Sequence, residues 1–456
     1  MGGLTSSLNI AVNSLMADQG ALNVTSNNIA NANTPNYTVE SPVLVEQAPA
    51  VYGNMLLGQG VELQNIQTVR DQVLQSRINQ ETQTQGQVNS YLGGMNQVQS
   101  LFNEAQGVGL QNVMSQFFNS LQTLSTNPTD ASLRQGVLSA GQALASAFNQ
   151  AASGLSQVRS GLDQSVAQNV TQINQLTSQI AQLNSQIDAL QGTPSPPNTL
   201  LDQRNQRVTQ LSQYIGVNAI NTTSGTFELT TTNGSALVVG QSSFALQSQL
   251  NTTDGLQHIF AQGSDITSSI TGGQLGGLLQ ARDQSVPATQ TSLDTLAYNL
   301  ATAFNAQSTS GYDANGNPGV NFFNQPSTVT GSAAQMSVAI TDPNLIAASS
   351  DGTPGSNGNA LALAAIQNQA LINGQNVTDY YSGLVNTIGN DVAGANTQQQ
   401  SVSGVLTQLQ NQLSSESGVS INQEAANLVQ FQNAYQASAQ VVTIVQQLLQ
   451  STLNMV

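Results

Sequence analysis

Both ends of the chain carry an apolar stripe at heptad spacing, and neither stripe has an adjoining segment to bury it. Near the N-terminus Leu8, Val12, Leu15, Leu22 and Ile29 share one seam with Gln19 and Ser26. Near the C-terminus Ile421, Ala425, Leu428, Tyr435, Ala439, Val442, Leu449 and Leu453 repeat the rhythm, with Gln432 and Gln446 on the seam. A period of 3.5 residues is that of a coiled coil. For 456 residues ending in two amphipathic helices, the economical solution is that the ends pair and the interior forms lateral domains. The paired ends then offer their remaining surface to copies of themselves. The expected fold is mainly α with a small inserted β subdomain: N- and C-terminal helices paired as a coiled coil, and a helical-bundle middle domain.

The first stripe ends abruptly. Its helix is expected from about residue 5 to about Ala32, and NANTPNY follows. Pro35 pushes the residue before it out of the helical region. Asn tolerates positive φ better than most residues, so Asn36 is expected there. Asn33, Pro35, Asn36 and Tyr37 therefore read as a designed exit turn, with Tyr37 as its anchor.

Between the ends, the pattern divides the chain into four parts. Residues 1–35 and 420–456 form the terminal coiled coil, and 36–68 an extended connector. Residues 69–215 and 273–419 form a helical domain with Gly/Asn-rich loops. Its clearest helix has Leu162, Val166, Ile173, Leu176, Ile180, Leu183, Ile187 and Leu190 in one register, with Asn169 the polar exception. GTPSPPN ends it, and Leu201, Arg204, Val208, Leu211 and Ile215 mark a return helix. From residue 216 to 272 the rhythm alternates, with Asn233-Gly234 as a hairpin turn. Phe244, Leu246, Ile259 and Phe260 read as strand positions there. Helix resumes near Gln274, with a kink expected near Pro287.

Composition limits the chemistry. There are 7 basic residues, all Arg, against 23 acids, for a net charge of −16. No basic patch can be assembled, so neither nucleic acid nor an anionic membrane surface is an expected partner. With no Cys and one His, disulfides and multi-His zinc sites are excluded. No stretch is long and apolar enough to span a bilayer. The first residues lack the basic and apolar regions of a secretory signal, so an external-type composition calls for another export route.

No constellation suggests catalysis. His258, between Gln257 and Ile259, reads as a structural residue. Asp313, Asn315 and Asn317 mimic the start of a calcium loop, but Pro318 and Asn324 stand where that loop needs Gly and Glu, so a plain turn is the better reading. GGQLGG (272–277) reads as a helix start permitting close backbone approach. The dipeptides Arg70-Asp71 and Arg282-Asp283 read as inter-helix or inter-subunit ion pairs, each charge being rare here. No cofactor is expected, and no enzyme activity. An extracellular peptidase or wall hydrolase is the reading these residues do not support.

TSNNIANANTPNY and the final ANLVQFQNAYQASAQVVTIVQQLLQSTLNMV resemble the paired terminal motifs of the flagellar rod, hook and hook-associated axial proteins. The interior blocks GQGVELQNIQTVRDQVLQSRIN, LLDQRNQRVTQLSQYIGV, TGGQLGGLLQARDQSVPATQTSLDTLAYNLATAFNAQ and SGYDANGNPGVNFF resemble the hook-associated branch, in order and spacing. They separate it from the alternative, a hook or rod protein. The resemblance implies a structural subunit joining hook to filament by copolymerising through its terminal helices, exported by the flagellar type III route without a cleaved signal peptide. It also implies partners: a ring of copies, the hook protein, the second hook–filament junction protein, and an export chaperone on the C-terminal helix. The chain departs from the family in having Asn36 where Gly is usual, and in looking short, as if an outer domain were reduced.

Overall fold

The computed structural model describes residues 2–34, 36–52, 55–103, 109–190, 192–193, 196–221 and 226–454. The chain opens with a 30-residue helix, α1 (Gly2–Asn31). Four strands follow: β1 (Glu40–Glu46), β2 (Ala50–Tyr52), β3 (Met55–Leu57) and β4 (Val61–Thr68). β1 pairs antiparallel with β4 and β2 with β3. The connector, read from the sequence as extended chain, folds as a doubled-back ribbon. Its β1–β4 part lies along α1: the Leu63 side chain fills the space beside Gly20, and Gly60 sits against Ile10.

The helical domain holds α2 (Gln72–Leu101), α3 (Leu110–Thr126), α4 (Ala131–Ala189) and α5 (Asn198–Tyr214). Asp71 and Asp130 cap α2 and α4, each accepting two backbone N–H bonds from the first turn. α4 is one helix of 59 residues. Val137, Leu144, Phe148, Leu155, Leu162, Val166, Ile173, Ile180 and Ile187 recur in steps of four and seven, and all are buried.

An inserted β region follows: β5 (Val217–Asn221), β6 (Phe227–Thr231), β7 (Ala236–Val239), β8 (Ser242–Ser243), β9 (Leu246–Leu250), β10 (Gln257–Ala261) and β11 (Ser264–Asp265). They form a four-stranded sheet, β5-β6-β7-β8, and a three-stranded one, β11-β10-β9. Phe244 lies between β8 and β9 rather than in a strand, and it is exposed. Its backbone N–H still donates to the Leu237 carbonyl of β7 (2.8 Å).

Helix returns as α6 (Gly273–Gln280), passes through a π-helical turn at Ala281–Ser285 and continues as α7 (Val286–Thr309). The π turn ends two residues before Pro287, where the sequence suggests a kink. α8 (Ser332–Gln335) and α9 (Gly358–Ala365) are short. The long helices α10 (Val377–Ser417) and α11 (Ile421–Leu453) complete the chain. α10 runs back along α2, and α11 pairs with α1. Phe117, Phe304, Phe322 and Phe323 form a ring cluster with centroids 4.8–5.8 Å apart, so the Gly/Asn-rich loop region supplies two of the core's largest side chains.

The terminal pair differs from the sequence reading in its deepest positions. Ala11, Ala17, Ala21, Val24, Thr25 and Asn28 are buried, whereas Leu8, Val12, Leu15, Leu22 and Ile29 are half-buried. α1 is covered by the β1–β4 ribbon as well as by α11, and close approach on two sides selects small residues at the centre. On α11, Leu428, Tyr435, Val442 and Leu449 are half-buried, while Ile421 and Leu453 are 55% and 68% exposed. These last two lie off the intrachain seam.

Candidate functional site

The exit of α1 is where the terminal pair, the ribbon and the helical domain meet. The turn is closed by bonds from Thr34 N to the Asn31 carbonyl (2.8 Å) and from Tyr37 N to the Thr34 carbonyl (3.2 Å). Asn36 holds φ of 62°, as expected of the residue standing in place of Gly. Asn33 is exposed; Pro35 lies outside the described residues.

Asn28, 1% exposed, is the hub of this exit. Its amide nitrogen donates to the Glu40 carbonyl (2.7 Å) and to a Glu424 carboxylate oxygen on α11 (3.1 Å). Its amide oxygen accepts from the Tyr37 hydroxyl (2.9 Å) and from Glu40 N (3.0 Å). One side chain thereby fixes the tyrosine, the start of β1 and the start of α11. Burial, then the charges of Glu40, Asp202 and Glu424, push the Tyr37 phenol well above its usual pKa, so it stays a neutral donor.

The next residues tie the exit to α5. Asp202 accepts from Thr38 N (3.1 Å) and Thr38 Oγ1 (3.0 Å), and from Arg70 Nε (3.0 Å) and an Arg70 terminal nitrogen (2.9 Å). Arg70 also donates to the Asn198 carbonyl (3.0 Å). Val39 N donates to the carbonyl of Ser417, the last residue of α10 (2.8 Å). The entry to and the return from the terminal pair are therefore locked together. Beneath the turn lies a cleft of about 1160 Å³ between α2, α5 and the end of α10.

Arg70 pairs with Asp202 on α5, while the Asp71 carboxylate caps α2. Arg282 does bond Asp283 (2.7 Å), and also Asp163 on α4 (2.6 Å) and the Gln257 carbonyl (2.8 Å). It is 1% exposed and joins the π turn, α4 and β10. Asn28, Glu40, Asn198, Asp202, Ser417 and Glu424 were not singled out from the sequence. Asn28 and Asp202 sit inside the blocks that carry the family resemblance, but Thr38 and Asp202 are 164 positions apart, and no local pattern signals such a contact.

The Asp313 carboxylate accepts from Asn315 N (2.8 Å) and Asn317 N (2.9 Å), the pattern of an Asx turn. Gly272 and Gly273 hold φ of 77° and 65°, and a side chain on Gly277 would collide with the Gln87 carbonyl of α2, so the Gly-rich start of α6 serves close helix approach. Among the described residues no group of three or more His, Cys, Asp or Glu side chains converges to hold a metal, and no helix is long and apolar enough to cross a membrane.

The model of the helical domain of flagellar hook-associated protein FlgK matches residues 95–323. That of the flagella basal body rod protein matches 8–38, and that of the flagellar basal body rod FlgEFG protein C-terminal region matches 410–455. The chain is 28% identical to flagellar hook-associated protein 1 of Escherichia coli K12 over 547 aligned residues, covering 99% of this chain and all of that one. It is 30% identical to flagellar hook-associated protein 1 of Bacillus subtilis 168 over 497 residues, covering 98% and 97%. The longer alignments exceed this chain's 456 residues, so the relatives carry segments it lacks. The solved flagellar hook junction protein FlgK of Burkholderia pseudomallei superposes with a TM-score of 0.67 at 21% identity, over 74% of this chain and 99% of that one; this likeness shows the fold.

Proposed function

The chain belongs to the flagellar hook-associated protein 1 family, and from that premise we propose that it is the subunit joining hook to filament, acting by geometry rather than catalysis. One observation carries the reading. α11 buries only Glu424 and Val445 in the single chain, while Val429, Val441, Ile444 and Leu448 stand 45–56% exposed. The pair is also free of exposed formal charge: α1 contains one acidic side chain, Asp18, and α11 one, Glu424, both are buried, and neither helix contains a basic residue. In a chain of net charge −16, a long uncharged apolar surface is where like-charged copies can approach.

The half-buried stripes from Leu8 to Ile29 and from Leu428 to Leu449, with Ile421 and Leu453 beside them, are the proposed contacts between copies in a ring. The hook protein and the second junction protein would stack on either side. The export chaperone would cover the α11 stripe before assembly, since that stripe is the surface most in need of cover. Residence is outside the cell at the hook–filament junction, reached by type III export without cleavage. The exit turn sets the angle at which the terminal pair leaves the lateral domain, so its rigidity sets the lattice. Charged residues placed at Val441 and Ile444 test this: monomer melting should hold while incorporation at the hook tip is lost. Unchanged incorporation would refute the reading.

A further inference from the structure

We propose that the cleft beneath the exit turn receives the acidic end of the β1–β4 ribbon of a neighbouring copy. This rests on the ring of copies proposed above. Four charged side chains line the cleft: Arg70, Asp71, Arg204 and Asp202. Asp71 is taken by the α2 cap, and Asp202 and Arg70 by each other. Arg204 makes no ion pair among the described residues, Asp188 acting on it only from a distance. Its guanidinium lies 4.1 Å above the Phe227 ring and one terminal nitrogen reaches Asn184 Oδ1 at 3.3 Å. Its Nε is buried with no acceptor. A desolvated guanidinium with no carboxylate in contact is stabilised by one arriving at its cleft-facing side.

The ribbon supplies such a group. Glu46 pairs with Val61 and Glu62 with Val45 in the antiparallel register, so two carboxylates stand on adjacent rungs at the far end of the ribbon. Beyond them the β2–β3 tip exposes Val51 at 73% and Leu56 at 70%, apolar surface that nothing in its own chain covers. The ribbon cannot reach the cleft of its own chain. β1 starts at the exit turn, and its seven residues carry Glu46 about 20 Å away at roughly 3.3 Å per residue. There Asn13 on α1 donates to Gln47 (2.8 Å), and Gly60 packs on Ile10, which pins that end along the helix. A contact between the cleft of one copy and the ribbon end of the next is head-to-tail, the type that closes into a ring.

The chain has no Cys, so engineered thiols give an unambiguous signal. In junctions assembled in a strain lacking the wild-type protein, the Q206C/E62C pair should form a ladder of disulfide-linked copies on oxidation, and neither single variant should. Glu62→Arg and Arg204→Glu should each reduce incorporation at the hook tip, and the double charge swap should restore it; Glu62 is exposed on a ribbon strand, so its variant folds even if that of Arg204 is impaired. Junctions that form without the ladder, with Glu62→Arg incorporating normally, would overturn the contact and leave the junction role intact. A disulfide within one copy would overturn it likewise. Absence of the wild-type chain from hook tips would overturn the junction role itself, and the contact with it.

Discussion

Asn36 and Asn28 carry the exit turn by different physics. Asn36 sits at φ 62°, where a residue with a Cβ is disfavoured and a β-branched one most of all. Asn36→Gly should be neutral or slightly stabilising. Asn36→Val should cost on the order of 1–2 kcal/mol per subunit, and incorporation at the hook tip should fall further than the monomer's melting temperature, because the loss recurs at every copy. Positive φ at this position follows from the motif; the four bonds of Asn28 do not, since their partners come from β1 and α11. His258 is another residue whose role the sequence left bland. Its ring bridges Asp265 (2.7 Å) and Asp254 (2.9 Å), and the hydrogen bonds it donates to Asp265 and Asp254 raise its pKa above the usual histidine value. A raised histidine stabilises fully below its unfolded pKa and loses that contribution as pH rises through the folded value. The β9-β10-β11 sheet should therefore loosen between neutral and alkaline pH, and His258→Gln should flatten that dependence in hydrogen exchange. An unchanged pH profile in the variant would show that the bridge carries no stability.

At the scale of elements, periodicity told most where one neighbour covers one face. The register of α4 from Leu162 to Ile187 was plain. Its earlier half, from Val137, is harder to read as the same helix, because Gly141 and Gly154 break the apolar pattern. In the structure those glycines accept the Phe322 ring and the Leu101 side chain. The pairing of the connector was hidden for a related reason: β1 and β4 gain their partner by returning along α1, and strand pairing is not written in either strand alone. The glycines of α6 were legible. A methyl group on Gly277 meets the Gln87 backbone carbonyl, which cannot rotate away, so Gly277→Ala should separate α2 from α6 and cost about 1–3 kcal/mol. A melting temperature equal to that of wild type would show that the two helices can slide apart freely.

For the whole molecule, the terminal pair is the weak unit and the helical domain the strong one. The main core runs from Leu92 to Ala395 without residues of α1 or α11. Asp18 and Glu424 are buried within the pair, and no Arg or Lys occurs before Arg70 or after Arg282 to compensate them. Burial raises the Asp18 pKa, against a weaker hydrogen bond from Ser438. In the free monomer both ends should be trimmed first by a protease of broad specificity such as subtilisin; trypsin would find no site in either end. Ends as resistant as the middle would show that the pair is stable alone. The sequence made the ends legible as surfaces needing partners, because a stripe without a neighbour is visible in one dimension. The central claim is that these ends, set by the exit turn, join hook to filament. Its most direct test is a strain lacking this chain, scored for hooks and for flagellin in the medium. The account predicts intact hooks, no filaments and shed unpolymerised flagellin, all reversed by the wild-type chain and not by Asn36→Val. Filaments of normal length in the deletion strain would contradict it.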